Sequence, residues 1–299
     1  MKLRIGTRRS RLALAQAEEV ARRLSDQGVD AVLVPMVTSG DRGAPGSASP
    51  AGVKGLFVAE IVRALQEGQV DLAVHSAKDL PSEDPQGVII GAVPERADPL
   101  DVMVSREDAL PEGALVGTSS LRRRAQLARS RPDVRVRDLR GNVDTRLGKL
   151  ERGEMDGLVL AAAGLARLGV VPEHATPIPL EDMVPAPGQG ALALQVREDD
   201  AGPAGVVGQL DHPRSRAAFD AERALVARLG GGCSLPLGAY AEQREGGVRL
   251  LAVVIRPDGS DLVWAQAEAG TPDAAAEEVA GILLAGGAGA ILADTGGSQ

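Results

Sequence analysis

A cation and a carboxylate stand next to each other in one short segment, His-Ser-Ala-Lys-Asp at 75–79, directly after an apolar run. Neighbouring residues of an extended chain point in opposite directions, so Lys78 could hold a substrate carboxylate while Asp79 faces a reacting centre. The same segment, taken by itself, is equally consistent with a solvated turn. Its value as a site depends on what the rest of the chain brings beside it.

Hydroxyl residues and arginines meet in a second segment, Gly-Thr-Ser-Ser-Leu-Arg-Arg at 117–123. The pattern places a strand end before a helix N-terminus, where free backbone N–H groups and partial positive charge favour an anion. Adjacent arginines diverge by about 100° around a helix, so Arg122, Arg123 and Arg124 cannot all contact one ligand. At least one of them is predicted to be solvated, and a helix cap with surface arginines is the alternative interpretation.

The segment Leu-Arg-Gly-Asn-Val-Asp-Thr-Arg-Leu at 139–147 repeats this arrangement at the next strand end. Asn142 can cap the helix, Arg140 lies in the turn, and Arg146 lies one turn into the helix. Ligands of open α/β sheets bind outside the carboxyl ends of strands, and arginine presents a planar fork that matches carboxylate or phosphate. Arginines therefore follow two successive strands. This repetition favours an anion-binding site over the alternative of two unrelated helix caps.

Cys233, the chain's one cysteine, follows three glycines and cannot form an internal disulfide. It is either a small buried hydrophobe or an exposed reactive thiol; the glycines favour exposure because they give freedom and no cover. The three histidines, His75, His174 and His212, are scattered and have no cysteine partners at zinc spacing. We therefore predict no metal site and a reducing compartment, the cytoplasm.

Charge is unevenly distributed along the 299 residues. The net charge is −8, but residues 118–152 contain eleven Lys/Arg against four Asp/Glu, which gives +7 there and −15 elsewhere. Only 1% of residues are aromatic. Positive charge confined to one region, with few aromatic side chains for stacking on bases, favours a small anionic ligand over a nucleic-acid backbone. No stretch approaches the about 20 apolar residues of a membrane span, so no membrane association is predicted.

Strand-like and helix-like segments alternate twice along the chain, which predicts an α/β fold with mixed sheets. The Gly/Pro/Ser-rich segment 38–53 is predicted to be a mobile lid. The apolar run 191–196 is predicted to return to the first sheet, so that two chain crossings form a hinge. We predict domain 1 at 1–95 and 190–209, domain 2 at 100–185, and a smaller α+β domain 3 at 213–299.

Seven segments, taken in order, resemble those of the porphobilinogen deaminase family, also called hydroxymethylbilane synthases. They are Thr7-Arg8-Arg9-Ser10, Val53-Lys54-Gly55-Leu56-Phe57, 75–79, 117–123, 139–147, Pro187-Gly188-Gln189-Gly190 and Gly231-Gly232-Cys233. The resemblance covers nearly the whole chain. Each motif is weak alone, but coincidence does not explain seven of them in the same order.

This resemblance implies two lobes like those of type II periplasmic binding proteins, a cleft between them and a third, smaller domain. It further implies a dipyrromethane cofactor joined to Cys233 by a thioether. The activity it implies is stepwise head-to-tail condensation of four porphobilinogen molecules onto that cofactor, with loss of ammonia, followed by hydrolytic release of linear hydroxymethylbilane. Up to twelve carboxylates on a six-ring chain would explain why an acidic protein concentrates arginine.

The resemblance also implies roles for single residues. Asp79 would hold pyrrole N–H groups, stabilise the cationic azafulvene left when ammonia departs, and move protons at the coupling carbon. Four cations would act near the reacting ring: Arg8, Lys78, Arg140 and Arg146. The positions implied to bind cofactor or substrate, besides Cys233, are Ser10, Lys78, Asp79, Thr118, Ser119, Arg122, Arg123, Arg140, Asn142, Arg146, Arg167 and Gln189.

The lid departs from the family pattern. Residues 49–54 read Ser-Pro-Ala-Gly-Val-Lys where the family is closer to Lys-x-Gly-Gly-Lys, so one lysine is absent and the glycine pair is disrupted. The resemblance suggests a monomer. Two other classes of protein remain open: a non-catalytic two-lobed binder of anionic solutes, which leaves the cysteine segment unexplained, and a nucleic-acid-binding protein, which the acidic remainder disfavours.

Overall fold

The computed structural model describes residues 1–37, 58–230 and 235–296. Its strands are β1 (Lys2–Arg8), β2 (Asp30–Met36), β3 (Leu72–Ser76), β4 (Val88–Ala92), β5 (Asp101–Ser105), β6 (Leu115–Gly117), β7 (Arg135–Arg137), β8 (Gly157–Ala161), β9 (Ala175–Pro177), β10 (Leu192–Arg197), β11 (Leu237–Arg244), β12 (Gly247–Ile255) and β13 (Leu262–Ala269). Its helices are α1 (Arg11–Asp26), α2 (Ala59–Gln66), α3 (Leu121–Ser130), α4 (Val143–Glu151), α5 (Ala162–Leu168), α6 (Ala201–Gly208), α7 (Pro213–Arg228), α8 (Pro272–Ala285) and α9 (Ala288–Gly296). The predicted lid at 38–53 and Cys233 lie outside the described residues.

The first lobe is built on a five-stranded sheet in the order β2-β1-β3-β10-β4. Strands β1, β2 and β3 are parallel, while β10 runs antiparallel to both of its neighbours. Helix α1 packs on one face through Ala17, Val20 and Leu24, at the spacing of one helical face. Helix α2 covers the other face. The prediction that 191–196 returns to the first sheet is confirmed.

The second lobe repeats that topology in the order β7-β6-β8-β5-β9. Here β6 is parallel to β7 and β8, and β5 is the antiparallel strand between β8 and β9. Helices α3, α4 and α5 follow β6, β7 and β8. In each lobe the antiparallel strand is the one that the chain enters from the other lobe.

The third unit is an antiparallel three-stranded sheet, β11-β12-β13, with α7 and α8 packed on one face. The opposite face places Leu251, Val253 and Ile255 against Ala125 of α3. Phe219 of α7 joins the core of the first lobe. The predicted α/β fold, with two mixed-sheet lobes and a smaller α+β C-terminal domain, is confirmed.

Several elements escaped the sequence analysis. These are β5, β9, β11, α6 and α9. Strands β5 and β9 are short, and α6 is rich in glycine and has no apolar stripe. Short segments with no clear period are held in place by tertiary contacts more than by local propensity. Within the described part of the chain, no single helix is long and apolar enough to cross a membrane; α8 and Ala288–Asp294, bent by 80° at their break, pass that test only as a pair.

Two chain crossings join the lobes, one between β4 and β5 and the other between β9 and β10, as the predicted hinge requires. They touch each other at Gly190, whose carbonyl accepts the N–H of Ala97 at 3.3 Å. Gly190 has φ of +85°, and a Cβ there would lie 2.4 Å from the carbonyl oxygen of Ala97. Only glycine allows the two crossings to approach this closely.

We expect Gly190→Ala to lower the free energy of unfolding by about 2–4 kcal/mol, because the methyl group meets backbone atoms in a left-handed conformation. Urea denaturation would measure the change. Two controls separate the causes. In Gly169→Ala the replaced glycine has φ of +64°, but no atom lies within reach of an added Cβ. In Gly205→Ala the replaced glycine lies in a helix with negative φ, and the space for a Cβ is also open. The first should cost about 1 kcal/mol and the second should stabilise slightly. A Gly190→Ala loss equal to that of Gly169→Ala would contradict the close approach.

Candidate active site

A cavity opens at the carboxyl end of β3, under the start of α1. A short 3-10 helix, Ala77–Asp79, follows β3 there and turns Asp79 toward the cavity. The cavity is lined by Arg8, Ser10, Leu12, Ala13, Gln16, Val58, Val74, His75, Ser76 and Asp79. Ser10 caps α1, since its hydroxyl accepts the N–H of Ala13 at 3.3 Å. Three residues predicted from the sequence, Arg8, Ser10 and Asp79, are thus brought to one place.

The carboxylate of Asp79 is half-buried and makes no hydrogen bond or ion pair with any residue that the structure describes. Buried or half-buried carboxylates are usually satisfied within the protein. A carboxylate held at a cavity wall without such a partner is available to accept N–H groups from a ligand.

Gln16 and Ser76 line the same cavity, and the sequence analysis missed both. The Gln16 amide nitrogen donates to the Ser76 hydroxyl at 2.9 Å, and Gln16 is buried. Gln16 falls on the apolar face of α1 beside Ala13, Ala17 and Val20. A polar residue at a core position of a predicted helix was the signal that could have found it.

Lys78 points toward the hinge. Its Nζ donates to the side-chain oxygen of Gln189 at 3.4 Å. Burial and, to a smaller extent, the positive charge of Arg123 lower the pKa of Lys78 from 10.5 to about 8, whereas Asp79 and Asp101 oppose the shift. The lysine is therefore largely protonated at pH 7 and poorly compensated, which favours an anionic ligand.

Arg122 and Arg123 are buried and converge on Asp101, a residue that the sequence analysis did not single out. Arg122 Nη1 lies 2.7 Å from Asp101 Oδ2, and Arg123 Nη2 lies 2.7 Å from Asp101 Oδ1. Burial alone would raise the pKa of Asp101, but the two guanidinium groups outweigh it and hold that pKa well below its usual range. Arg122 and Arg123 thus share one partner in the protein, whereas Arg124 is half-buried and takes no part in this contact.

Each of these two arginines also donates to one backbone carbonyl. Arg122 Nη1 contacts the carbonyl of Val184 at 2.7 Å, and Arg123 Nη1 contacts that of Val159 at 2.8 Å. Both were predicted to bind ligand carboxylates. In this structure their charges face Asp101 rather than the cavity.

Hydroxyls at the start of α3 form the cap that the sequence predicts. Ser120 caps the helix by accepting the N–H of Arg123 at 3.4 Å, and the buried Thr118 hydroxyl accepts the N–H of Ser120 at 3.2 Å. Ser119 is half-buried between them. The hydroxyls of Thr118 and Ser119 thus lie between the carboxyl end of β6 and the N-terminus of α3.

Asn142 caps α4, since its side-chain oxygen accepts the N–H of Thr145 at 2.9 Å. Arg140 is exposed and contacts Asp138 at 3.3 Å. Arg146 is half-buried and donates from Nε to the carbonyl of Gly141 at 2.8 Å. Burial, with the charge of Arg123, lowers the pKa of Arg146 to about 10. Of the two arginines, Arg146 is the one that shares the electrostatic environment of the cleft.

Arg167 connects the lobes. Its Nε donates to Glu19 of α1 at 3.1 Å, and its Nη2 donates to the carbonyl of Gly190 at 3.1 Å. The side chain is 9% exposed. A second bridge between the lobes pairs Arg11, at the start of α1, with Asp144 in α4. Arg167 thus contributes to the hinge side of the cleft and is held by protein groups.

Glu222 of α7, also missed from the sequence, organises the hinge. The fully buried carboxylate accepts both terminal nitrogens of Arg96, at 2.7 and 3.1 Å, the N–H of Gly188 at 2.6 Å and the N–H of Ala241 at 2.7 Å. The signal available in the sequence was a glutamate on the apolar face of a helix, between Ala218 and Leu225. The third unit thus takes part in shaping the cleft.

Taken together, the described residues of the site offer a carboxylate that makes no hydrogen bond with any of them, beside cations whose charge is only partly compensated. Among the described residues there is no group of three or more His, Cys, Asp or Glu that could hold a metal ion. His75 is buried, which lowers its pKa to about 4, so it is neutral at physiological pH. The donor set suits an organic ligand that carries several carboxylates and presents N–H groups to Asp79.

Comparison with known proteins gives consistent matches along the chain. The family model of the porphobilinogen deaminase dipyromethane cofactor binding domain matches residues 3–203, and that of the porphobilinogen deaminase C-terminal domain matches residues 217–286. The chain is 45% identical over 300 residues to the porphobilinogen deaminase of Brevibacillus brevis, which covers 98% of this chain and 97% of the relative.

Solved structures with similar lobes have low sequence identity. A probable amino-acid ABC transporter extracellular-binding protein, ytmK of Bacillus subtilis, is 9% identical with a TM-score of 0.43 and covers 70% of this chain and 90% of that one. Substrate binding domain 2 of GlnP from Lactococcus lactis is 12% identical with a TM-score of 0.44 and covers 70% and 87%.

Proposed function

Because the chain belongs to the porphobilinogen deaminase family, we propose that Asp79 is its catalytic carboxylate and that the cations around the cleft hold the carboxylates of substrate and cofactor. The protein is a transferase of tetrapyrrole biosynthesis, a hydroxymethylbilane synthase with a dipyrromethane cofactor. A non-catalytic solute-binding protein is not favoured, since both matched domains are those of the enzyme.

The residues of the cleft fit this cofactor. A dipyrromethane carries four carboxylates and two pyrrole N–H groups. Lys78 and Arg146 are half-buried cations whose pKa values are lowered by burial and by the neighbouring Arg123, so bound carboxylates would relieve an existing excess of positive charge. Asp79 offers an acceptor for the N–H groups. When bound, the cofactor supplies the ring carbon onto which porphobilinogen is joined, and we propose Cys233 as its thioether attachment point.

In this proposal Asp79 stabilises the developing positive charge and accepts the proton. Its carboxylate accepts the pyrrole N–H of the substrate ring and stabilises the positive charge that develops there as ammonia departs. It then accepts the proton lost at the coupling carbon. The single observation that carries the assignment is the Asp79 carboxylate, which stands at the cavity wall without a partner among the described residues.

The cations position the substrate. Arg8 lines the cavity with Asp79, and Lys78 adjoins it at the hinge. Arg140 and Arg146 lie on the second lobe, where a growing chain of rings would present its acetate and propionate groups. Ser10, Thr118, Ser119 and Asn142 supply hydroxyl and amide groups at three helix N-termini. We propose that Arg122, Arg123, Arg167 and Gln189 also bind cofactor or substrate; in this structure each of them contacts protein groups.

We further propose the domain limits 1–95 with 190–209, 100–185 and 213–299. Each of the three sheets falls within one of these units. We also propose that the protein is a cytoplasmic monomer that acts on porphobilinogen and binds neither nucleic acid nor membrane. The single cysteine and the charge of −15 outside 118–152 support this proposal.

Intact mass of the denatured protein tests the function. We expect the purified protein to carry a two-pyrrole adduct that peptide mapping places on Cys233, and to gain further pyrrole-sized increments after brief incubation with porphobilinogen. Since an unloaded enzyme could survive expression without precursor, an unmodified protein is next exposed to porphobilinogen for hours. No adduct and no hydroxymethylbilane after that exposure would contradict the proposed activity. An adduct on another residue would contradict the role of Cys233 alone.

A further inference from the structure

Helix α1 of the first lobe lies against the second lobe, and ion pairs join the two at two points of this contact. At the start of α1, Arg11 Nη1 donates to Asp144 Oδ1 in the first turn of α4. About two turns further along α1, Glu19 accepts Nε of Arg167, in α5, at 3.1 Å. The helix therefore presents first a cation and then an anion, each to the opposite charge on the second lobe.

The two pairs differ in their distance from the hinge. Arg167 also donates to the carbonyl of Gly190 in one chain crossing, and its side chain is buried. Arg11 precedes Glu19 by eight residues, which is about 12 Å along the helix axis, and most of its side chain is exposed. Asp144 follows β7, which stands three strand positions, or about 14 Å, from β5, where the chain enters the second lobe. Rotation about the crossings therefore separates the exposed pair further than the buried one.

Residues assigned to ligand binding stand beside each member of the exposed pair. Ser10, which precedes Arg11, lines the cavity together with Asp79. Arg146 stands two residues after Asp144 in α4. Contact between Arg11 and Asp144 therefore sets the separation between the cavity wall of the first lobe and the helix of the second lobe that carries Arg146.

We propose that Arg11 and Asp144 are positioning residues that hold the mouth of the cleft closed over a bound ring without contacting the ligand themselves. This inference rests on the proposed function of the cleft and deepens it. An exposed ion pair is weak, and favours the closed arrangement about two- to fivefold over an open one. A contact of that strength promotes closure for each condensation and still opens for entry of porphobilinogen and release of product.

Exchange of the two charges separates positioning of the lobes from simple attraction of an anionic substrate. Arg11→Asp makes the mouth more negative and places two carboxylates face to face. Asp144→Arg makes the mouth more positive and places two guanidinium groups face to face. The double variant Arg11→Asp/Asp144→Arg keeps the net charge of the parent enzyme and restores opposite charges across the mouth. Positioning predicts that both single variants change in the same direction and that the double variant recovers.

Steady-state rates of hydroxymethylbilane formation, expressed per molecule that carries the two-pyrrole adduct, give the first readout. Both single variants should raise the KM for porphobilinogen about three- to tenfold, because repulsion replaces attraction, while kcat stays within about twofold. The double variant should return KM to within about twofold of the parent value. Two controls make the same changes of charge at exposed positions outside the contact, Arg22→Asp on α1 and Glu154→Arg in the second lobe, and should leave KM within about twofold.

Small-angle X-ray scattering of the enzyme without porphobilinogen gives a second readout that needs no activity. Each single variant should have a larger radius of gyration than the parent enzyme, and the double variant should match the parent. Circular dichroism first establishes that each variant is folded. Should Asp144→Arg not fold, Asp144→Lys takes its place in the single and the double variant.

Two results overturn the inference. A higher KM in Arg11→Asp together with a lower KM in Asp144→Arg would show that charge at the mouth only attracts the substrate. A double variant that resembles either single variant, in KM or in scattering, would show that the pair does not hold the lobes. If the parent enzyme forms no hydroxymethylbilane, the proposed function fails, and the scattering results alone decide whether the pair holds the mouth closed.

Discussion

Replacing Asp79 by asparagine is expected to lower kcat by about 10²- to 10⁴-fold and to leave the fold intact. The amide keeps the size of the side chain but loses the negative charge that would stabilise a developing cation, and it cannot accept the coupling-carbon proton. Stopped assays of hydroxymethylbilane formation with saturating porphobilinogen measure kcat. Rates are expressed per molecule that carries the two-pyrrole adduct, which intact mass determines.

Glu83→Gln is the control for that substitution. Glu83 is an exposed acid in the loop that follows Asp79. Its replacement should leave kcat within about twofold of the parent value. If Asp79→Asn retains more than a third of the parent rate per loaded molecule, the carboxylate is not the catalytic group and the acceptor of the proton must be sought elsewhere in the cavity.

Replacing Glu222 by glutamine is expected to lower the free energy of unfolding by about 3–5 kcal/mol. The fully buried carboxylate accepts four N–H groups, from Arg96, Gly188 and Ala241. A glutamine turns one acceptor into a donor that faces other donors, and it leaves the guanidinium of Arg96, itself only 10% exposed, without its counter-charge. Urea denaturation gives the change in free energy.

Glu278→Gln, at an exposed position of the same unit on α8, is the matched control and should change stability by less than about 0.5 kcal/mol. A second readout locates the effect. Because Glu222 holds the hinge at Gly188, the variant should show faster amide hydrogen exchange at the hinge as well as in α7. A loss of stability below 1 kcal/mol, with hinge protection unchanged, would show that the carboxylate is not the group that holds the hinge.

Local pattern was enough to predict the alternation of strands and helices, the cap at Asn142 and the return of 191–196 to the first sheet. These features depend on residues close in sequence, or on apolar runs whose burial has one simple solution. The order of motifs, with its resemblance to a family, supplied the activity and the cofactor. The comparisons then confirmed both.

Local pattern could not predict which arginines are buried against a carboxylate of the protein and which are not. Arg122, Arg123, Arg140 and Arg146 look alike in the sequence, since each follows a strand end in a basic segment. Their surroundings differ because β5 brings Asp101 under the start of α3, where its buried carboxylate compensates Arg122 and Arg123; Arg140 is exposed and Arg146 is half-buried.

The sequence by itself determined the fold class, the reaction and the candidate residues Asp79 and Cys233, because these are carried by short motifs and by the period of apolar residues. Only the tertiary structure decided which cations a buried carboxylate compensates, how Gln189 joins Lys78 to Asp101, and that Glu222 of the third unit holds the hinge. The physical reason is that compensation of a buried charge depends on distance in space, and the partners of these contacts stand 21 to 111 positions apart along the chain.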